Sequence, residues 1–156
     1  MKNLIAISIL LGFGLMISLN SCKKKEEETT PAALTSTATL KGKVWADLDL
    51  TNTGSEAAPA GTKLFVTIDS EDLVDNPQYE NKTLIYEASV DASGNYSVSV
   101  PAGNKAFTVR ISGVDFEYNT ILSSNPQTTS RSIYSTNGAN PAINAGTISI
   151  NDIYYN

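Results

Sequence analysis

The chain has no histidine, a single cysteine at Cys22, and charged side chains at only 17% of its 156 positions. Without histidine there is no imidazole base, no His-based triad and no HExxH zinc site. One cysteine cannot supply an intrachain disulfide, a CxxC redox pair or a thiolate metal cluster. Paired carboxylates can hydrolyse glycosides without histidine. Here Asp47/Asp49 and Glu71/Asp72 fall in polar loops with no aromatic residue beside them, so the chain reads as a non-enzyme. Aromatics make up 8% of the residues and Trp45 is the one tryptophan. The net charge of −5 and the acidic loops argue against nucleic-acid binding. What the chain has in quantity is Ser, Thr and Asn, 47 residues in all. With many β-branched side chains and low charge, this composition fits an extracytoplasmic all-β protein.

There is one long apolar run, LIAISILLGFGLMISL, from Leu4 to Leu19 behind Met1-Lys2-Asn3. At about 1.5 Å per residue it reaches about 24 Å, short of a hydrocarbon core of about 30 Å. It therefore reads as a cleaved leader rather than a membrane span. Leu19-Asn20-Ser21-Cys22 resembles the bacterial lipobox, which implies a lipoprotein signal peptide over residues 1–21 and lipidation of Cys22. Acyl chains on that cysteine would make the membrane a partner. Lys23-Lys24-Lys25-Glu26-Glu27-Glu28 follows, a block whose charges cancel and which has nothing to bury. Lys23 after the cysteine, in place of Asp, resembles outer-membrane sorting. Lys25-Glu26-Glu27 resembles the surface-export signal of Bacteroidetes lipoproteins, against the plainer reading of a solvated tether. Residues 22–36 thus form the lipidated cysteine and its linker, and the implied location is the outer membrane, lipid-anchored and facing the cell surface.

Over residues 37–156 the hydrophobic pattern has period two in short segments. Leu40, Gly42, Val44 and Ala46 share one strand face, and Lys41, Lys43 and Trp45 the other. Leu64, Val66 and Ile68 alternate in a second strand. Residues 83–90 and 96–100, joined by Asp91-Ala92-Ser93-Gly94-Asn95, read as a β-hairpin. Phe107, Val109 and Ile111 alternate next, with Val114, Phe116 and Tyr118 continuing the period. Residues 71–81 read as a connector, and 123–144 as a polar stretch with one short strand at 132–135. Residues 146–154 read as the last strand, with Ile148 and Ile150 inward. Seven such strands imply a single antiparallel seven-stranded β-sandwich, large enough to hold a core without disulfides.

Leu40-Lys41-Gly42-Lys43-Val44-Trp45-Ala46-Asp47 resembles the opening of a transthyretin-like, or prealbumin-like, sandwich domain. That group includes carboxypeptidase regulatory-like domains and the B-type repeats of bacterial adhesins. Pro59-Ala60-Gly61-Thr62-Lys63-Leu64, Val90-Asp91-Ala92-Ser93-Gly94-Asn95-Tyr96 and Val100-Pro101-Ala102-Gly103 follow in the order of the family's turns and strands. The likeness covers residues 40–112. It implies a binding or structural role at the envelope, the partner being a glycan or another envelope protein.

Three candidate sites emerge. Asp47, Asp49 and Glu56 lie in a loop with Thr51, Thr53 and Gly54 that resembles a degenerate calcium loop of adhesin repeats. Calcium takes six to eight oxygens, several of them carboxylates, and this loop offers three, which favours an unliganded Asx-rich turn with no cofactor. Related adhesins form a Lys–Asn isopeptide bond beside a buried acid. The equivalents Lys41 or Lys43, Asn151 and Glu87 fall on the wrong faces for it. Trp45, on the polar face of its strand, either stacks on a sugar or peptide or packs beneath the 47–61 loop.

Overall fold

Strand alternation in this chain puts one small or aliphatic side chain inward at every second position, and the architecture follows from which edges those strands find. The computed structural model describes residues 36–74 and 82–156, all within the unit Ala32–Asn156. The expected leader, Cys22, the block Lys23 to Glu28 and Asn76-Pro77 lie outside the described residues.

β1 (Thr37–Ala46) is the hub of the first sheet. Ala38, Leu40, Val44 and Ala46 are buried, while Lys41, Lys43 and Trp45 face outward. β2 (Glu56–Ala57) and β5 (Asn95–Pro101) pair antiparallel with β1. β11 (Ile148–Ile150) and β12 (Ile153–Tyr155) pair with it in parallel. Thr39 to Lys41 are bonded to both β5 and β11, so these partners occupy opposite edges of β1. In the second sheet β3 (Lys63–Asp69) lies between β4 (Thr83–Ser89) and β7 (Arg110–Gly113), antiparallel to both. Leu64, Val66, Ile68, Ala88 and Ile111 from this sheet join Leu40, Val44, Val100 and Ile153 from the first in one core. β6 (Phe107–Thr108) pairs with β10 (Ala142–Ile143), and β8 (Phe116–Ser124) with β9 (Gln127–Tyr134).

The chain is therefore all-β, as its alternation predicts, but with details that the pattern alone misassigns. Twelve strands rather than seven are present among the described residues, and the first sheet is mixed rather than antiparallel. The expected hairpin at 83–100 is instead an arch, because β4 pairs with β3 while β5 pairs with β1. Its turn closes on itself. Asn95 O accepts from Asp91 N–H, Asp91 O accepts from Gly94 N–H, and Asp91 Oδ1 accepts from the N–H groups of Ser93 and Asn95. Gly94 has φ +81°, a conformation glycine takes without a Cβ penalty. The polar stretch 123–144 contains the whole of β9, a strand with little apolar alternation because it lies in an exposed two-stranded ribbon. Val114 and Tyr118 are exposed rather than inward, since the strand period breaks between β7 and β8. In the connector, Leu73 is buried at the end of a 3₁₀ turn (Ser70–Leu73).

Ile148 and Ile150 are 63% and 70% exposed, whereas Ile153 and Tyr155 are buried. Parallel register matches Val44 and Ala46 with Ile153 and Tyr155, so the odd-numbered residues turn inward and the isoleucines cannot.

Two core tyrosines make the fold sensitive to alkali. Tyr96 donates to Asn151 O at 2.8 Å and Tyr155 to Val114 O at 3.1 Å. Burial, with smaller effects from Asp152 on Tyr96 and Asp115 on Tyr155, pushes both phenols up to about 12. A raised phenol pKa means the unfolded state loses its protons first, so their contribution is whole below about pH 10 and is lost as pH climbs towards 12. Urea midpoints measured from pH 8 to 12 should fall steeply above pH 10. The fall should be shallower for Tyr96→Phe and Tyr155→Phe, and equal slopes in the variants would remove the tyrosines as its cause.

Candidate functional site

The outer face of the first sheet gathers the side chains best suited to binding. Lys41, Lys43 and Trp45 project from β1, and the parallel register sets Ile150 beside Lys41 and Tyr154 beside Trp45. On its other flank Trp45 faces Ala57, a side chain too small to cover an indole. Trp45 is half-buried and Tyr154 is 58% exposed. Asp152 organises the group: Oδ1 accepts from Lys43 N–H at 2.8 Å and Oδ2 from Trp45 Nε1–H at 3.3 Å. Lys43 Nζ lies 4.7 Å from the indole centroid, close enough for cation–π attraction. Beside these residues is a shallow depression of about 380 Å³, lined by Lys41, Lys43, Asn95, Ser97, Ile150 and Asp152 among others. An indole fixed in orientation by a carboxylate, with a tyrosine next to it and two amines near, can stack on a flat or ring-shaped ligand and donate hydrogen bonds to its oxygens.

Trp45 thus stands on the outward face expected of it. The sequence does not mark Asp152 at all, and it marks Ile148 and Ile150 as core rather than as surface residues. Asp152 carries no motif, and the isoleucines suggest core until their phase is fixed by Ile153 and Tyr155.

The 47–56 loop uses its carboxylates on its own backbone. Glu56 Oε2 accepts from the N–H groups of Leu48 and Asp49, and Oε1 accepts from Asn52 Nδ2. Asp49 Oδ1 accepts from Thr51 N–H and Thr51 Oγ1–H at 3.0 and 2.6 Å. The Thr51 hydroxyl and then its N–H lower the Asp49 pKa. Gly54 N–H is held by Asn52 Oδ1. Asp47 contributes its carbonyl, which accepts from Tyr134 Oη–H at 2.6 Å. Among the described residues no three acidic or thiol side chains gather as a metal-ligand group, and the Asp49 and Glu56 carboxylates accept hydrogen bonds from within their own loop.

Of the crosslink residues, Asn151 lies beside Lys41, its N–H donating to Lys41 O at 2.8 Å, but the side chains do not converge. Lys41 and Lys43 face outward from the first sheet, Glu87 is paired with Lys63 on the second, and Asn151 Nδ2 donates to Ser149 Oγ at 2.9 Å.

No protein-family model matches the chain, and no curated protein matches it. Among solved structures it is similar to the major plantain pollen allergen Pla l 1, with 12% identity, 77% of this chain and 93% of the allergen covered, and a TM-score of 0.36. That likeness assigns neither family nor role.

Proposed function

We propose that the chain is a lipid-anchored lipoprotein of the outer membrane, displayed at the cell surface, with a non-enzymatic binding or structural role carried by a transthyretin-like β-sandwich. The observation that carries this reading is Leu19-Asn20-Ser21-Cys22 behind an apolar run too short to span a bilayer. The chain's sole cysteine stands at the position that lipidation uses. Support for a binding role comes from the outer face of the first sheet, where Trp45 and Tyr154 stand side by side with two lysines. That pair favours a glycan partner, the role of a carbohydrate-binding accessory in a glycan-uptake system, over a fimbrial or adhesin component.

Protease shaving of intact cells tests the location. The native chain should be cut on whole cells, and Cys22→Ala and alanine replacement of Lys23 to Glu28 should each abolish that cutting. Protection of the native chain until the outer membrane is broken would overturn surface display. In the same preparation, retention on polysaccharide gels that Trp45→Ala removes would support the glycan reading. Retention unchanged by Trp45→Ala, or none on any polysaccharide, would sink it.

A further inference from the structure

Beyond β11 and β12, which among the described residues pair only with β1, the first sheet ends in an edge of the kind that sheet proteins ordinarily protect. β11 and β12 pair with β1 along one side, and among the described residues no strand pairs with the other. Asn151 N–H donates to Lys41 O, and Thr147 O accepts from Thr39 N–H, so the odd-numbered residues aim their backbone groups at β1. By the period of two, Ile148, Ile150 and Tyr154 aim theirs along the free side, while Asn151 and Asp152 lie between the two strands, where Lys43 N–H goes to Asp152 Oδ1 and Asn151 O accepts from Tyr96 Oη–H. Asn156 has the same phase, and its N–H and C=O exchange hydrogen bonds with Ser135. Free edges are usually blunted by lysine, proline or a bulge. Residues 147–155 contain no lysine or proline, and their one charge, Asp152, is occupied by Lys43 N–H and the Trp45 indole.

We infer that this edge pairs antiparallel with the same edge of a second copy, about a two-fold axis at Asn151. The chain itself selects the register. Moving the axis to residue 150 would bring in Gly146, whose φ of +77° is not extended. Moving it to residue 152 would call on Asn156, already bonded to Ser135, and would set two Asp152 carboxylates opposite each other. With the axis at Asn151, Ile148 lies opposite the partner's Tyr154, both of them strand residues able to exchange two hydrogen bonds, and Ile150 lies opposite the partner's Asp152. Ile148 then meets the Trp45–Tyr154 pair across the junction, an aromatic and β-branched match of the kind that stabilises paired strands. Lys41, in register with Ile150, reaches toward the partner's Asp152, so the charges are complementary as well. Such an edge is used once per copy, and the assembly closes as a dimer rather than growing. The outer faces stay open, and the dimer presents two Trp45–Tyr154 surfaces on one continuous sheet.

The full-length chain tests this in two ways. Residues 148 and 154 of opposed copies would have Cα atoms about 5.5 Å apart, inside the disulfide range. Ile148→Cys combined with Tyr154→Cys should therefore give an oxidised dimer above the background of Cys22 alone, and Ile148→Cys combined with Ile150→Cys should not. In sedimentation the native chain should form a dimer whose dissociation constant Ile150→Lys raises at least tenfold. Ile133→Lys, equally exposed but on β9, should leave it unchanged. A monomer at every concentration, equal crosslinking by the two cysteine pairs, indifference to Ile150→Lys, or species larger than the dimer would each overturn the pairing.

Discussion

Replacing Gly42 by alanine should lower the unfolding free energy by about 3 kcal/mol, the upper end of the usual overpacking range. A Cβ on Gly42 would overlap the carbonyl oxygen of Asn151 and stand 2.6 Å from its carbon. Both are backbone atoms and cannot swing aside as the tip of a side chain would. The Asn151 carbonyl also accepts from Tyr96 Oη–H at 2.8 Å, and Asn151 N–H donates to Lys41 O at 2.8 Å. To make room, β1 and the C-terminal strand must part where Asp152 bonds to Lys43 and Trp45. Urea unfolding should thus show a lower midpoint together with a changed Trp45 emission. Gly54→Ala is the control, since a Cβ there meets only the Asn52 side chain at 3.5 Å. A Gly42→Ala loss no larger than that of the control would show that the close approach is not a constraint.

The second large effect is expected from Tyr134→Phe, at about 1–3 kcal/mol, the cost of leaving buried polar groups unsatisfied. The Tyr134 hydroxyl donates to Asp47 O at 2.6 Å and accepts from Thr120 Oγ1–H at 2.7 Å, and Thr120 is almost wholly buried. The ring itself stacks on Phe116 with centroids 5.3 Å apart, and phenylalanine would keep that packing. What is lost is the tie between the β8–β9 ribbon and the 47–50 segment, where Leu50 N–H donates to Ile121 O and Ile121 N–H to Leu48 O. Amide exchange at Leu50 and Ile121 should accelerate in Tyr134→Phe. Thr120→Val added to Tyr134→Phe should recover part of the stability, because no hydroxyl is then stranded. If the double variant is the less stable by the sum of two independent losses, the hydroxyls do not act as a pair.

The strand faces of β1, β3, β4 and β5 are legible in the sequence, since in each a run such as Leu64, Val66, Ile68 leaves one orientation that buries it. Which strand pairs with which is not, because alternation describes a face and says nothing of the edge. For that reason the 91–95 turn, whose Asp and Gly fit a hairpin equally well, joins two sheets instead. The phase of the last strand was ambiguous for a related reason. Ile148 and Ile150 compete with Ile153 and Tyr155 for the interior, and only the second pair lies next to Val44 and Ala46. Within the candidate site, Trp45 could be read from its position between outward lysines. Asp152 could not, since it acts through a strand 107 residues away in the chain.

The first strand is completed only by the last, with Lys43 and Asp152 separated by 109 residues. During synthesis β1 can meet β5 early, but its other edge must wait until residues 148–155 have been made. A topology dominated by such distant partners forms slowly. Until then the chain carries one open sheet edge flanked by Leu40 and Val44, the kind of surface that helper proteins hold during a chain's production.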